Sequence, residues 1–144
     1  MNIKYLAISV LVIIIAFIMF SFFSKPNIPT DQTPLNAKFE TITSGEIGKY
    51  LTQPELVILD VRTSDEYKDG HVKNSLNLDF YSPNFKSELE KLDKNKQYIV
   101  YCRSGNRSSQ TSKLMQQLGF IDIINMTDSF ANIANSYTCT EAKC

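Results

Sequence analysis

One of the chain's three cysteines stands where a strand gives way to a helix. The run YIVY, residues 98–101, is β-branched and aromatic and reads as a buried strand. It is followed by CRSGNRS, residues 102–108, and the spacing then predicts a helix from Ser108 with Leu114, Met115 and Leu118 on its inner face and Gly119 as its stop. Backbone N–H groups in a short loop that enters a helix N-terminus lack intrahelical partners and present their positive ends to whatever lies between them. Two guanidiniums, Arg103 and Arg107, would add charge around the same point. Such surroundings favour a thiolate: free cysteine titrates at about 8.5, and helix N-termini with neighbouring cations bring it to roughly 3.5–7.5. Cys102 is therefore the candidate nucleophile. Ser104, Gly105 and Asn106 line the loop, with Gly105 supplying a backbone angle that a side chain would forbid.

The loop length separates two chemistries. Cysteine-dependent phosphatases and arsenate reductases place an arginine six residues after the nucleophile, where its fork grips an oxyanion. Here the sixth position is Ser108 and the arginine, Arg107, comes fifth. The shorter ring of amides suits a smaller cargo, such as one sulfur atom carried on Cys102, and makes phosphoryl transfer the alternative. A cysteine hydrolase would need a histidine as general base. The single histidine, His71, sits in GHV at a turn before a strand and is read as structural.

Three segments in order carry a resemblance: LVILDVRTSDEYKDGHV (residues 56–72), NSLNL (74–78) and YIVYCRSGNRSSQTSKLMQQLGF (98–120). Over residues 38–136 the chain resembles the single-domain rhodaneses, the thiosulfate and persulfide sulfurtransferases, through their DxR, EY and GH segment and their CxxGxRS loop. The resemblance implies a Cys102 persulfide, loaded from a small anionic sulfur donor and discharged to a thiol or other thiophilic acceptor, with no metal and no organic cofactor. It implies that Arg103 and Arg107 hold the anionic head of the donor, that Asp60 ties the loop by hydrogen bonds, and that Arg62 pairs with Glu66. The chain departs from the family after its last strand, where NMTDSFANIANSY replaces a glycine pair and a tryptophan, and Phe130 is the residue available to fill that place. A non-catalytic module that binds a partner, or senses oxidants through Cys102, is the third reading.

The elements that must position the loop follow an α/β pattern. FETI (39–42) reads as a strand, and Thr43 with Glu46 has capping-box spacing ahead of Ile47 and Leu51. LVILDV is a near-continuous apolar run, as expected of a central parallel strand buried on both faces. Thr63 and Glu66 repeat the capping spacing for a short helix ending near Gly70. SLNL is a strand, FKSELEKL a helix with Phe85, Leu89 and Leu92 on one side, and DIIN the last strand. The pattern predicts a three-layer α/β domain on a mostly parallel central sheet, with the site at the carboxyl ends of the strands.

The rest of the chain speaks to location. With 15 basic and 15 acidic side chains the charge is balanced, and nothing points to nucleic acid. Residues 5–23 are uncharged and almost wholly apolar; as a helix they would extend about 28 Å at 1.5 Å per residue, close to the roughly 30 Å hydrocarbon core. Residues 1–23 are thus read as one transmembrane helix, an uncleaved anchor, and residues 24–37, with three prolines, as a tether. Cys139 and Cys144 fall in a polar tail, residues 137–144, and would form a small disulfide in an oxidising compartment. The expectation is a membrane-anchored domain outside the cytoplasm.

Overall fold

The computed structural model describes residues 14–15, 37–133 and 137–140. The chain divides into two units, residues 1–31 and 32–144. Of the first, Ile14 and Ile15 are described; both are helical and about half exposed. Among the described residues no helix is long and apolar enough to cross a membrane. The anchor read at residues 5–23 and the tether after it lie almost wholly outside those residues.

The second unit runs β1 (Lys38–Ile42), a 3-10 turn (Ser44–Lys49), β2 (Leu56–Asp60), α1 (Ser64–Asp69), β3 (His71–Val72), β4 (Leu76–Asn77), α2 (Phe85–Leu89), β5 (Gln97–Tyr101), α3 (Asn106–Gln117), β6 (Asp122–Met126), a second 3-10 turn (Phe130–Asn132) and β7 (Thr138–Cys139). Five strands form a sheet in the order β1-β6-β5-β2-β4, and every pair in it is parallel. The apolar runs of β2 and β5 are long enough to be covered on both faces, which is what a parallel sheet between helices demands. Alternation then sorts the side chains. Tyr98, Val100 and Cys102 join Leu59, Phe85, Leu89 and Met115 in one core, while Ile99 and Tyr101 join Ile42, Ile47, Ile58 and Met126 in the other.

Both capping boxes read from the sequence are present, Thr43 with Glu46 and Thr63 with Glu66. The first of them opens a 3-10 turn rather than an α-helix. Gly119, at φ +87°, ends α3 in a Schellman arrangement: its N–H donates to the Gln116 carbonyl and that of Phe120 to the Met115 carbonyl, each at 3.1 Å.

Three expectations change. The helix α3 begins at Asn106, two residues before Ser108, so half of the loop is already helical. Its fully buried residues are Ser108, Thr111, Ser112 and Met115, whereas Leu114 and Leu118 are only partly covered. Small side chains let α3 lie directly on β6, where Ser108 Oγ donates to the Met126 carbonyl at 2.9 Å and Asn125 Nδ2 donates to Ser109 Oγ at 3.0 Å. The tail is also not a bare appendage: Thr138 and Cys139 return to pair antiparallel with Val72 and His71 as β7. Cys139 is disulfide-bonded, and Cys144 lies outside the described residues.

Candidate active site

The central strand β5 delivers Cys102, and its neighbours deliver the surroundings. Asp60, the last residue of β2, is in register with Tyr101, and Val100 with Asn125 of β6. The three carboxyl ends therefore converge at one point, as open parallel sheets require of a site.

Cys102 is 1% exposed and lies at the floor of the loop. The Gly105 N–H donates to its Sγ at 3.1 Å. Burial pushes the Cys102 thiol up, but the backbone N–H groups of Ser108, Ser104 and Gly105, with the Ser108 hydroxyl, together outweigh it, so the thiol titrates below its ordinary value. The first turn of α3 thus works as an anion cradle wrapped around a sulfur atom. As a thiol, Cys102 faces Ser108 Oγ at 3.7 Å, while the Ser108 hydroxyl is within donor reach of the Gly105 and Met126 carbonyls at 3.0 and 2.9 Å. Arg103, Ser104 and Asn106 stand exposed at the mouth.

Gly105 makes the cradle possible. It sits at φ +86°, ψ −18°, and a Cβ there would collide with the backbone carbonyl of Thr127. Left-handed backbone costs an ordinary residue about 1–2 kcal/mol, and the Thr127 carbonyl, following β6, cannot swing aside like a side chain. Gly105→Ala is expected to lift the 105 N–H off Sγ, raise the pH midpoint of Cys102 alkylation and lower the melting temperature. An unchanged alkylation profile and melting point would remove the loop geometry from any role.

The charged residues pair differently from the expectation drawn by resemblance. Arg62 does not meet Glu66. It turns back onto Asp60, with Nη2–Oδ2 at 2.6 Å and Nε within 3.0–3.1 Å of both carboxylate oxygens, and Nη2 also donates to the Gly70 carbonyl at 2.5 Å. Nor does Asp60 bond the loop directly; its carboxylate accepts from the Arg62 backbone N–H and guanidinium. Phe130 lies over the Arg62 guanidinium, 3.8 Å from ring centroid to Cζ, and stacks on Tyr101 at 5.8 Å. Its N–H donates to the Arg103 carbonyl at 3.2 Å. Phe130 therefore ties the loop to the Asp60–Arg62 pair. Sequence reasoning missed Tyr101 as the link between them; its position one residue before Cys102, on the opposite face of β5, was the available signal.

Glu66 instead takes Arg107. Nη1 and Nη2 donate to Oε2 and Oε1 at 2.7 and 3.0 Å, a fork-to-fork pair across two elements. Arg107 beside it holds the Glu66 carboxyl down at about 2. Of the two guanidiniums expected to add charge around Cys102, Arg107 is thus paired with a carboxylate, although the charge of Cys102 still reaches it. Among the described residues Arg103 makes no ion pair. Above the loop a cleft of about 590 Å³ opens between Glu66, Phe80, Tyr81, Arg103 and Arg107.

His71, read as a turn residue before a strand, lies in β3 itself. It is buried, stacked on Tyr67 at 3.7 Å, and bonded through Nδ1 to the Tyr67 carbonyl at 2.8 Å, with Nε2 3.7 Å from Cys139 Sγ. Among the described residues no cluster of histidine, cysteine or acidic side chains could hold a metal ion.

Known proteins are similar to this chain. The thiosulfate sulfurtransferase GlpE of Coxiella burnetii is 28% identical over 92 residues, 64% of this chain and 84% of its own. The uncharacterised protein YibN of Escherichia coli K12 is 29% identical over 102 residues, covering 69% of this chain and 71% of that one. A rhodanese-like domain protein from Staphylococcus aureus has the same fold, with a TM-score of 0.61 at 23% identity over 71% of this chain and 98% of its own. Residues 43–136, from the first capping box past the Phe130 turn, match the rhodanese-like domain as a whole, and the chain belongs to that family.

Proposed function

We propose that the domain is a sulfurtransferase that carries a sulfane sulfur as a Cys102 persulfide. Membership of a family supplies the fold, and the reaction has to be read from the site. The observation that carries the reading is the Gly105 N–H aimed at Cys102 Sγ at 3.1 Å, within a helix N-terminus that draws the thiol toward its anion. The similarity to a thiosulfate sulfurtransferase supports it. In the proposed cycle the Cys102 thiolate attacks the outer sulfur of a donor. The donor's S–S bond breaks, its electron pair leaves on sulfite or on a thiolate, and the transferred sulfur stays on Cys102. The loop amides stabilise charge on that terminal sulfur as an oxyanion hole stabilises oxygen. A thiolate acceptor then attacks the same atom and regenerates Cys102.

Ser108 favours this over phosphoryl transfer. It holds the sixth position of the loop, yet its hydroxyl is buried against the Gly105 and Met126 carbonyls and offers no fork to an oxyanion. Incubation of the full chain with thiosulfate or with N-acetylcysteine persulfide is expected to add the mass of one sulfur atom at Cys102. Turnover of aryl phosphates is expected to be negligible. No added sulfur from either donor would leave a binding or redox-sensing module, and brisk phosphate release would replace sulfur transfer with phosphoryl transfer.

The uncharged apolar run at residues 5–23 and the disulfide at Cys139 support a further reading, that the domain is tethered to a membrane and faces an oxidising compartment. Cell fractionation is expected to recover the chain with membranes, and an impermeant thiol reagent is expected to reach its cysteines in intact, reduced cells. Recovery in the soluble fraction would discard the tether, and labelling only after permeabilisation would reverse the orientation.

A further inference from the structure

Glu66 does two jobs at once. Its Oε2 accepts from the Thr63 N–H at 2.9 Å, closing the capping box of α1, while both oxygens grip Arg107. The carboxylate is therefore fixed by backbone before any substrate arrives, and the fork of Arg107 that would otherwise meet an anion is filled. The charges at the mouth then reduce to one uncompensated cation, Arg103, among the described residues. Phe80 and Tyr81 form an aromatic wall to the same cleft, meeting edge to face at 5.4 Å, with Tyr81 69% exposed. A cleft of about 590 Å³ lies in the size range of organic ligand sites. It is far larger than thiosulfate, a compact dianion that has no apolar surface to lay on Phe80 or Tyr81.

Resting on the sulfurtransferase reading above, we propose that Glu66 sets the donor class. By occupying Arg107 it selects an organic persulfide bearing a single carboxylate, held by Arg103 with its body against Phe80 and Tyr81, over the thiosulfate dianion. The Cys102 thiolate attacks the outer sulfur of R–S–SH, and the bond between the two donor sulfurs breaks. Its electron pair leaves on R–S⁻, and Cys102–S–SH retains the sulfur and its proton. No electrons are gained or lost overall, so no further reagent is needed.

The test measures kcat/KM for Cys102 loading in the full chain with three donors: thiosulfate, N-acetylcysteine persulfide and the methyl ester of that persulfide. Glu66→Gln keeps an oxygen for the Thr63 N–H and removes the charge. It is expected to shift the ratio of thiosulfate to persulfide rates in favour of thiosulfate by roughly tenfold, the scale of one unit charge a few ångströms away at a protein surface. Arg103→Ala is expected to abolish the preference for the acid over its ester and decides the matter if Glu66→Gln does not fold. A donor ratio indifferent to Glu66, or a wild type that treats acid and ester alike, overturns the assignment while sulfur transfer stands. Failure of every donor to load the wild type overturns both.

Discussion

Replacing Cys102 by serine is expected to end sulfur transfer completely while leaving the domain folded. The hydroxyl has nearly the shape of the thiol but ionises far above neutral pH, so the cradle of N–H groups has no anion to stabilise and no nucleophile to present. Stability should stay within about 1 kcal/mol of the wild type, because the buried serine finds partners already in place in the Gly105 N–H and Ser108 Oγ. The two readouts are the mass of the protein after incubation with donor and the urea midpoint. A sulfur adduct in the serine variant would move the nucleophile elsewhere and end the assignment of Cys102. Loss of the adduct together with loss of folding would show that Cys102 is needed for packing.

Much of this site is legible in the sequence because its signals are local. A β-branched run, a glycine-containing loop and a helical period occupy consecutive residues, so the strand-to-helix cradle and the strain at Gly105 could be read from spacing alone. The capping boxes are local too, each spanning four residues. Glu66 shows where that kind of reading stops. Its bond to Thr63 was visible at a separation of three, but its grip on Arg107 crosses 41 residues and depends on α1 being packed against the mouth of the loop.

The start of α3 was misplaced for a related reason. Hydrophobic period marks a helix by its apolar residues, and this one buries Ser108, Thr111 and Ser112 instead, as close contact with β6 demands. The strands β3 and β7 have two residues each, too few to show any period. The Arg62 pairing failed because the chain turns sharply after Val61. That turn aims Glu66 toward the loop, while Arg62 folds back two residues onto Asp60 under the ring of Phe130.

That fold-back makes Arg62→Ala the second change of large expected effect, this time on stability. The side chains of Asp60 and Arg62 are 0% and 5% exposed. Burial pulls the Arg62 guanidinium down, and the Asp60 carboxylate more than restores it. Removing one member of a buried pair leaves the other charge unpaired and costs about 3–5 kcal/mol, a large share of the roughly 5–15 kcal/mol that a domain has. Removing both charges should cost less. In Asp60→Asn with Arg62→Met, the amide oxygen still accepts the residue 62 N–H that Asp60 bonds at 2.8 Å, and no ion remains buried. The expected order of urea midpoints is wild type, then the double variant, then Arg62→Ala far below. Equal midpoints for Arg62→Ala and the wild type would mean that the pair is not held in solution. Because Asp60 is in register with Tyr101, next to Cys102, and Phe130 spans from Arg62 to the Arg103 carbonyl, Arg62→Ala should also raise the pH midpoint of Cys102 alkylation wherever enough folded protein survives to measure it. A destabilised variant with an unshifted alkylation profile would confine the pair to the core and separate it from the chemistry above.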